Sequence, residues 1–294
     1  MAFLVSTGCA PDRRGSDGGG TGTIASESAG DVSASVGTAE AESTGVPMPD
    51  GGHPFECSGA RWYEGNATIM SATDIEAMRD VGGITGSLWI EYSTDLANLD
   101  ALSCLEVVGE GVHVFETSGL TELRGLERLR SVGELAAADA PTAPGLAKVQ
   151  LLNNQDLERV VALESLETIA GLVFAGNPAL VEIELPSLRT VGDLTYGLGC
   201  FPDALEDTSL GGVGRFPVLE TVETLRVEGQ LGFTSLASLV ELAERGVVFE
   251  NAGISRNPNL DMIEVEAFAA AAGIDPVTCS NKDEPEECEP CPGE

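Results

Sequence analysis

Residues 88–109 read LWIEYSTDLANLDALSCLEVVG, and residues 112–133 read VHVFETSGLTELRGLERLRSVG. Leu88, Ile90, Leu96, Leu99, Leu102, Leu105, Val108 and Gly109 each have a counterpart twenty-four positions on, at Val112, Val114, Leu120, Leu123, Leu126, Leu129, Val132 and Gly133. Two alternating aliphatics followed by leucines three apart describe one short strand and a Leu ladder. Such a unit cannot bury its apolar stripe alone and must stack on copies of itself. A third copy stands thirty-seven places further on, through Val149, Leu151, Leu157, Val160, Leu163, Leu166 and Ile169, with an insertion of about thirteen residues (134–146) before it. A fourth runs through Leu172, Phe174, Leu180, Ile183, Leu188, Val191 and Gly192. The spacing predicts a β-rich solenoid whose aliphatic positions form layers of one core.

Later copies are less regular. Leu194 and Tyr196 open a fifth, but Leu219 and Val222 come late, so an excursion over about 198–214, holding Cys200, fills the gap. Leu225 and Val227 open a sixth, in which Leu236, Leu239 and Leu242 have helical spacing. Asn257-Pro-Asn-Leu260 repeats Asn177-Pro-Ala-Leu180 and marks a seventh. Val265, Phe268 and the Ala269 to Ala272 run, stopped by Gly273, predict a closing helix with a glycine C-cap. At the opposite end, Thr73-Asp-Ile-Glu76 reads as a capping box, with Ile75, Met78 and Val81 as the apolar stripe of a covering helix.

The segments Ile69 to Ile75 and Val81 to Ile90, with the Leu ladder to Val108 and Gly109, resemble the receptor L domain of the insulin and epidermal growth factor receptors. The resemblance spans residues 57–273. It implies a right-handed β-helix of about six to seven leucine-rich-repeat-like coils with short helical caps, and it brings no catalytic residues.

Outside that span the chain changes character. Residues 1–9, MAFLVSTGC, resemble the end of a bacterial lipoprotein signal peptide, with Cys9 as the lipidated residue; the alternative is an ordinary thiol. Residues 10–56 are Gly, Ser, Thr, Ala and scattered acid, too poor in apolar surface to offset the entropy of ordering, and are expected to form a flexible stalk. Residues 274–294 are Pro-rich and acidic and end in Cys279, Cys288 and Cys291.

The formal charge of -33, from 48 acidic and 15 basic residues, argues against nucleic acid and against an anionic membrane surface as partners. Membrane contact is expected only through a lipid anchor. Seven cysteines without metal-ligand spacing suit an oxidising compartment, and Cys57 to Cys104 is the expected bond, pinning the first cap to the first coil. Cys279, Cys288 and Cys291 are expected to join disulfides rather than a zinc or redox site, because a zinc site needs four ligands. No cofactor or metal is expected. The resemblance of residues 1–9 to a lipoprotein signal implies a cell-envelope location, and the chain is expected to be an outer-membrane lipoprotein facing outside or the periplasm.

No H-E-x-x-H, G-x-S-x-G or P-loop motif occurs, so the chain reads as non-catalytic. If Leu88 and Ile90 point inward, the alternate residues point outward and stack in columns. One column is Trp89, His113, Gln150, Val173, Thr195, Arg226; the next is Glu91, Phe115, Leu152, Ala175, Gly197, Glu228. Trp89, Phe115, Leu152 and Val173, with His113 among them, are therefore expected to form an exposed apolar patch that binds an extracellular protein, peptide or glycan. The alternatives are a structural spacer that packs on copies of itself and, third, an enzyme with a site built across coils.

Overall fold

The computed structural model describes residues 57, 60–133, 148–197, 210 and 212–282. Cys9, the stalk, the 134–146 insertion, Cys200 with most of the excursion around it, Cys288 and Cys291 lie outside the described residues.

Alternating aliphatic and polar residues bury one side of a strand and leave the other. In Leu88–Glu91 the leucine and isoleucine are buried while Trp89 and Glu91 are half-buried. Nine strands form the main sheet: Ala67–Ile69, Leu88–Glu91, Val112–Phe115, Lys148–Leu152, Thr168–Ala175, Thr190–Tyr196, Thr221–Glu228, Val248–Ser255 and Val277–Cys279. Each is bonded to the next in chain order, and every described pairing is parallel. The register follows the sequence alignment, with Leu88, Val112, Val149, Leu172, Leu194, Leu225 and Ala252 in one row. A four-stranded sheet of Arg61–Tyr63, Val81–Ile84, Val107–Val108 and Ser131–Val132 runs beside it, and Arg159–Val160 pairs with Glu182–Ile183 in a third. The chain is thus a mostly parallel β-sheet protein with few helices, an arrangement compatible with a β-solenoid.

The ladder leucines are the core. Leu96, Leu99, Leu102 and Leu105 are at most 2% exposed, and Leu120, Leu123, Leu126 and Leu129 are 0% exposed. Each contributes roughly 1.5–3 kcal/mol by leaving water. Further along, the rings of Phe174, Tyr196 and Phe233 pack in sequence at 5.5 and 5.6 Å. The Tyr196 hydroxyl, whose ionisation burial strongly disfavours, donates to the Val213 carbonyl.

Seven of the nine strands of the main sheet leave through a corner of one form. Tyr92, Glu116, Asn153, Arg256 and Ser280 take φ of 49–58°, and Gly176 and Gly229 take 64° and 67° at the equivalent places. The next residue is in each case polar and buried: Ser93, Thr117, Asn154, Asn177, Gln230, Asn257 and Asn281. The Asn177 carbonyl oxygen accepts from the Asn154 backbone N–H at 3.0 Å, and its amide donates to the Leu151 carbonyl at 2.7 Å. Asn154, Asn257 and Asn281 repeat this geometry with Val114, Val227 and Ile254 as acceptors. This rung satisfies backbone groups that the corner would otherwise leave orphaned in the interior.

Helix α1 (Ala72–Glu76) is capped by Ser71, whose hydroxyl accepts from the Asp74 N–H. The capping box is therefore Ser71 with Asp74, two positions before the expected Thr73 with Glu76. Asp74 accepts from the Ser71 hydroxyl and the Met70 N–H, and these bonds hold its carboxyl below the usual range. Helix α2 (Ala237–Glu244) buries Leu239 and Leu242, and α3 (Met262–Ala272) ends on Gly273 at φ 68°, both where the spacing placed them. Pairing does not stop at Gly273: Val277–Cys279 adds a strand, and Asn281 the last described rung. The Pro and acid around it conceal a strand that only three residues define.

Cys57 and Cys104 are joined, closing a loop with a sequence separation of 47. Cys279 is disulfide-bonded as well.

Candidate recognition face

The outward columns exist in the expected register: Trp89 pairs with His113, His113 with Gln150, Gln150 with Val173, Val173 with Thr195, and Thr195 with Arg226. Glu91 pairs with Phe115, and Phe115 with Leu152. Neighbours in such a parallel stack stand roughly 4.8 Å apart, so each side chain is walled on two sides. That walling corrects the expected patch. His113 is only 5% exposed and Val173 6%, so neither presents a surface to a partner. Trp89, Phe115 and Leu152 are half-buried rather than fully exposed.

His113 is held by its column. The Trp89 ring stacks on it at 3.9 Å with 17° between the planes, and Nδ1 lies 2.9 Å from Gln150 Oε1. With that oxygen as acceptor, Nδ1 carries the proton and Nε2 is a bare lone pair, buried with no partner. Burial pushes the imidazole below its ordinary pKa, outweighing the opposing pull of Gln150 and Glu110. At neutral pH His113 is therefore an uncharged spacer between indole and amide.

The surface that remains is aromatic and acidic. Tyr92 is 53% exposed, and its ring meets that of Phe115 in a T-shaped contact at 5.5 Å and 88°. The corner conformation supplies this contact, because φ of 54° swings Tyr92 back toward the neighbouring strand. Sequence periodicity missed Tyr92, which falls outside the strand alternation; its place directly after Glu91 at the corner was the available signal. No protein-family model, curated protein or solved structure matches the chain.

Charge around this face is one-sided. Between Arg79 and Arg124 the chain has eight acidic residues and no Lys or Arg. Asp100 and Glu106 pair with Arg124, Arg128 and Arg130, and Glu110 accepts from the Ser87 hydroxyl. Glu91 and Glu116, beside Tyr92 and Phe115, have no ion pair among the described residues. Two concavities of about 330 and 510 Å³ lie against α2 and are lined in part by Arg215 and Ser238. Neither contains a residue of the recognition face.

Proposed function

We propose that the chain is a non-catalytic recognition module of the cell envelope that binds an extracellular partner through the outward side of its main sheet. In this reading the strands are turns of a right-handed β-helix of the receptor L domain type, with α1 at one end and α3 toward the other, tethered through lipidated Cys9. Parallel pairing in chain order, a continuous Leu core and an Asn rung repeated at four corners support the helical reading. The Cys57–Cys104 disulfide is compatible with an oxidising location, as is the absence, among the described residues, of any helix long and apolar enough to cross a membrane.

The observation that carries the function is the cluster of Trp89, Tyr92, Phe115 and Leu152 on the outward side, next to carboxylates without counter-charges. Aromatic groups gathered on an exposed sheet face are the usual anchors of protein contacts. The test is Trp89→Ser with Phe115→Ser and Leu152→Ser, combined with a melting curve to establish that the variant folds. Loss of the native partner by the folded variant is expected; a folded variant that keeps every partner removes this reading.

A further inference from the structure

The recognition face carries a chemical signature for what it holds. Two aromatic rings, Tyr92 and Phe115, meet edge to face at 5.5 Å, and the Trp89 indole stands in the next column. Glu91 lies in register with Phe115, and Glu116 follows Phe115 at the corner. Elsewhere on the described chain, basic side chains neutralise acids in other repeats: Arg159 with Glu182 at 2.7 Å and Arg189 with Glu220 at 2.6 Å in neighbouring ones, and Lys148 with Asp193 at 2.8 Å across the strand between them. The stretch between Arg79 and Arg124 supplies no base of its own. A π-face beside an uncompensated carboxylate attracts a cation twice, through the ring quadrupole and through charge.

Taking the sheet face as the recognition surface, as proposed above, we infer that its occupant is an Arg- or Lys-bearing peptide segment of a second protein, with a cationic side chain seated on Tyr92 between Glu91 and Glu116. Tyr92 is the exposed platform, since the residue is 53% exposed and its ring meets Phe115 at 88° rather than in a stack. Trp89 is half-buried between His113, stacked on one face, and Thr68 in register on the neighbouring strand, so it stands beside the seat as a reporter and does not itself hold the cation. An acidic peptide would be repelled by the same carboxylates. A neutral glycan would stack on the rings and donate hydroxyls to the carboxylates, but it would leave their negative charge uncompensated.

The chain has two tryptophans, so Trp62→Phe leaves Trp89 as the reporter on this face. The full chain with that change is titrated with an acetylated, amidated peptide of alternating Arg and Gly, with its Glu–Gly counterpart, and with maltohexaose. The Arg peptide is expected to shift Trp89 emission saturably and to weaken as salt rises. Tyr92→Ser alone, and Glu91→Gln with Glu116→Gln, should each weaken binding on the order of fivefold or more. Glu244→Gln with Glu250→Gln, at exposed positions on α2 and a distant strand, should change it less than twofold, which is about 0.4 kcal/mol. Equal weakening by that distant pair overturns the proposal, because binding then follows overall charge. Absence of saturation with the Arg peptide also overturns it. Saturation by maltohexaose or the Glu peptide instead overturns the cationic occupant and leaves the recognition face standing; loss of that face is read separately, by partner retention in the triple Ser variant.

Discussion

Replacing Asn177 by Ala removes a rung from the middle of the corner column, and the size of the effect follows from what is left behind. Asn177 is 0% exposed, and its amide makes four bonds: it accepts from the backbone N–H and side-chain amide of Asn154, and donates to the Leu151 and Ala175 carbonyls. After truncation the Asn154 side chain still donates to the Val114 carbonyl. The Asn154 N–H and the Leu151 carbonyl lose these partners inside the protein. A buried group deprived of its partner costs roughly 1–3 kcal/mol, so the pair amounts to about 2–6 kcal/mol of destabilisation. Urea unfolding followed by far-ultraviolet circular dichroism measures it, and hydrogen exchange at the Asn154 amide locates it. Asn259→Ala is the control: that residue is exposed and donates to the Leu231 carbonyl, which water can then serve, so about 0.5 kcal/mol or less is expected. An Asn177→Ala variant as stable as this control, with the Asn154 amide still protected, would refute the idea that the rungs hold the corners.

Removing the Cys57–Cys104 bond by the double Ser substitution releases a loop with a sequence separation of 47, and about 4 kcal/mol of stability should go with it on the loop-entropy estimate, read from urea midpoints. Gly125→Ala should destabilise more than Gly65→Ala by at least about 2 kcal/mol in the same assay. Both have positive φ, but a Cβ on Gly125 would stand 2.0 Å from the Leu99 carbonyl oxygen while Gly65 has nothing within 4 Å. His113 should make the fold acid-sensitive. Its folded pKa lies below the ordinary 6.5, so on acidification the unfolded chain takes the proton first, and stability falls from about pH 6.5 down to the folded value and then levels. His113→Gln should flatten that part of the profile, and in the Trp62→Phe background it should abolish the loss of Trp89 emission that a stacked imidazolium causes. An emission midpoint at or above the ordinary histidine value would contradict the burial argument.

Much of the fold was legible because its determinants are local and repetitive. The Leu ladder, the strand register, α2, α3 and the Gly273 cap all follow from spacing, since each repeat obeys the same packing requirement. The corner column was harder to read. Ser93, Thr117, Asn154, Asn177, Gln230, Asn257 and Asn281 fill one buried position with four residue types, of which the Asn make the rung, and the 134–146 insertion and the later excursion break their spacing. The repeated Asn-Pro pair at 177–178 and 257–258 was the visible trace of it. Of the recognition face, the columns were legible and the exposure was not. Alternation says which side a residue faces, but how deeply His113 and Val173 sit depends on how tall their column neighbours are, which period alone does not encode.

The corner column also bears on how such a chain changes length over generations. The Asn rungs bond within their own repeat and to adjacent ones, and the strand-exit conformation is taken by Tyr, Glu, Asn, Arg and Ser as well as by Gly. Duplication or loss of one complete unit, from one left-handed residue to the next, would therefore preserve every remaining bond type. Gene-level slippage of that size would change the number of parallel strands while leaving Trp89, Tyr92 and Phe115 in their mutual geometry.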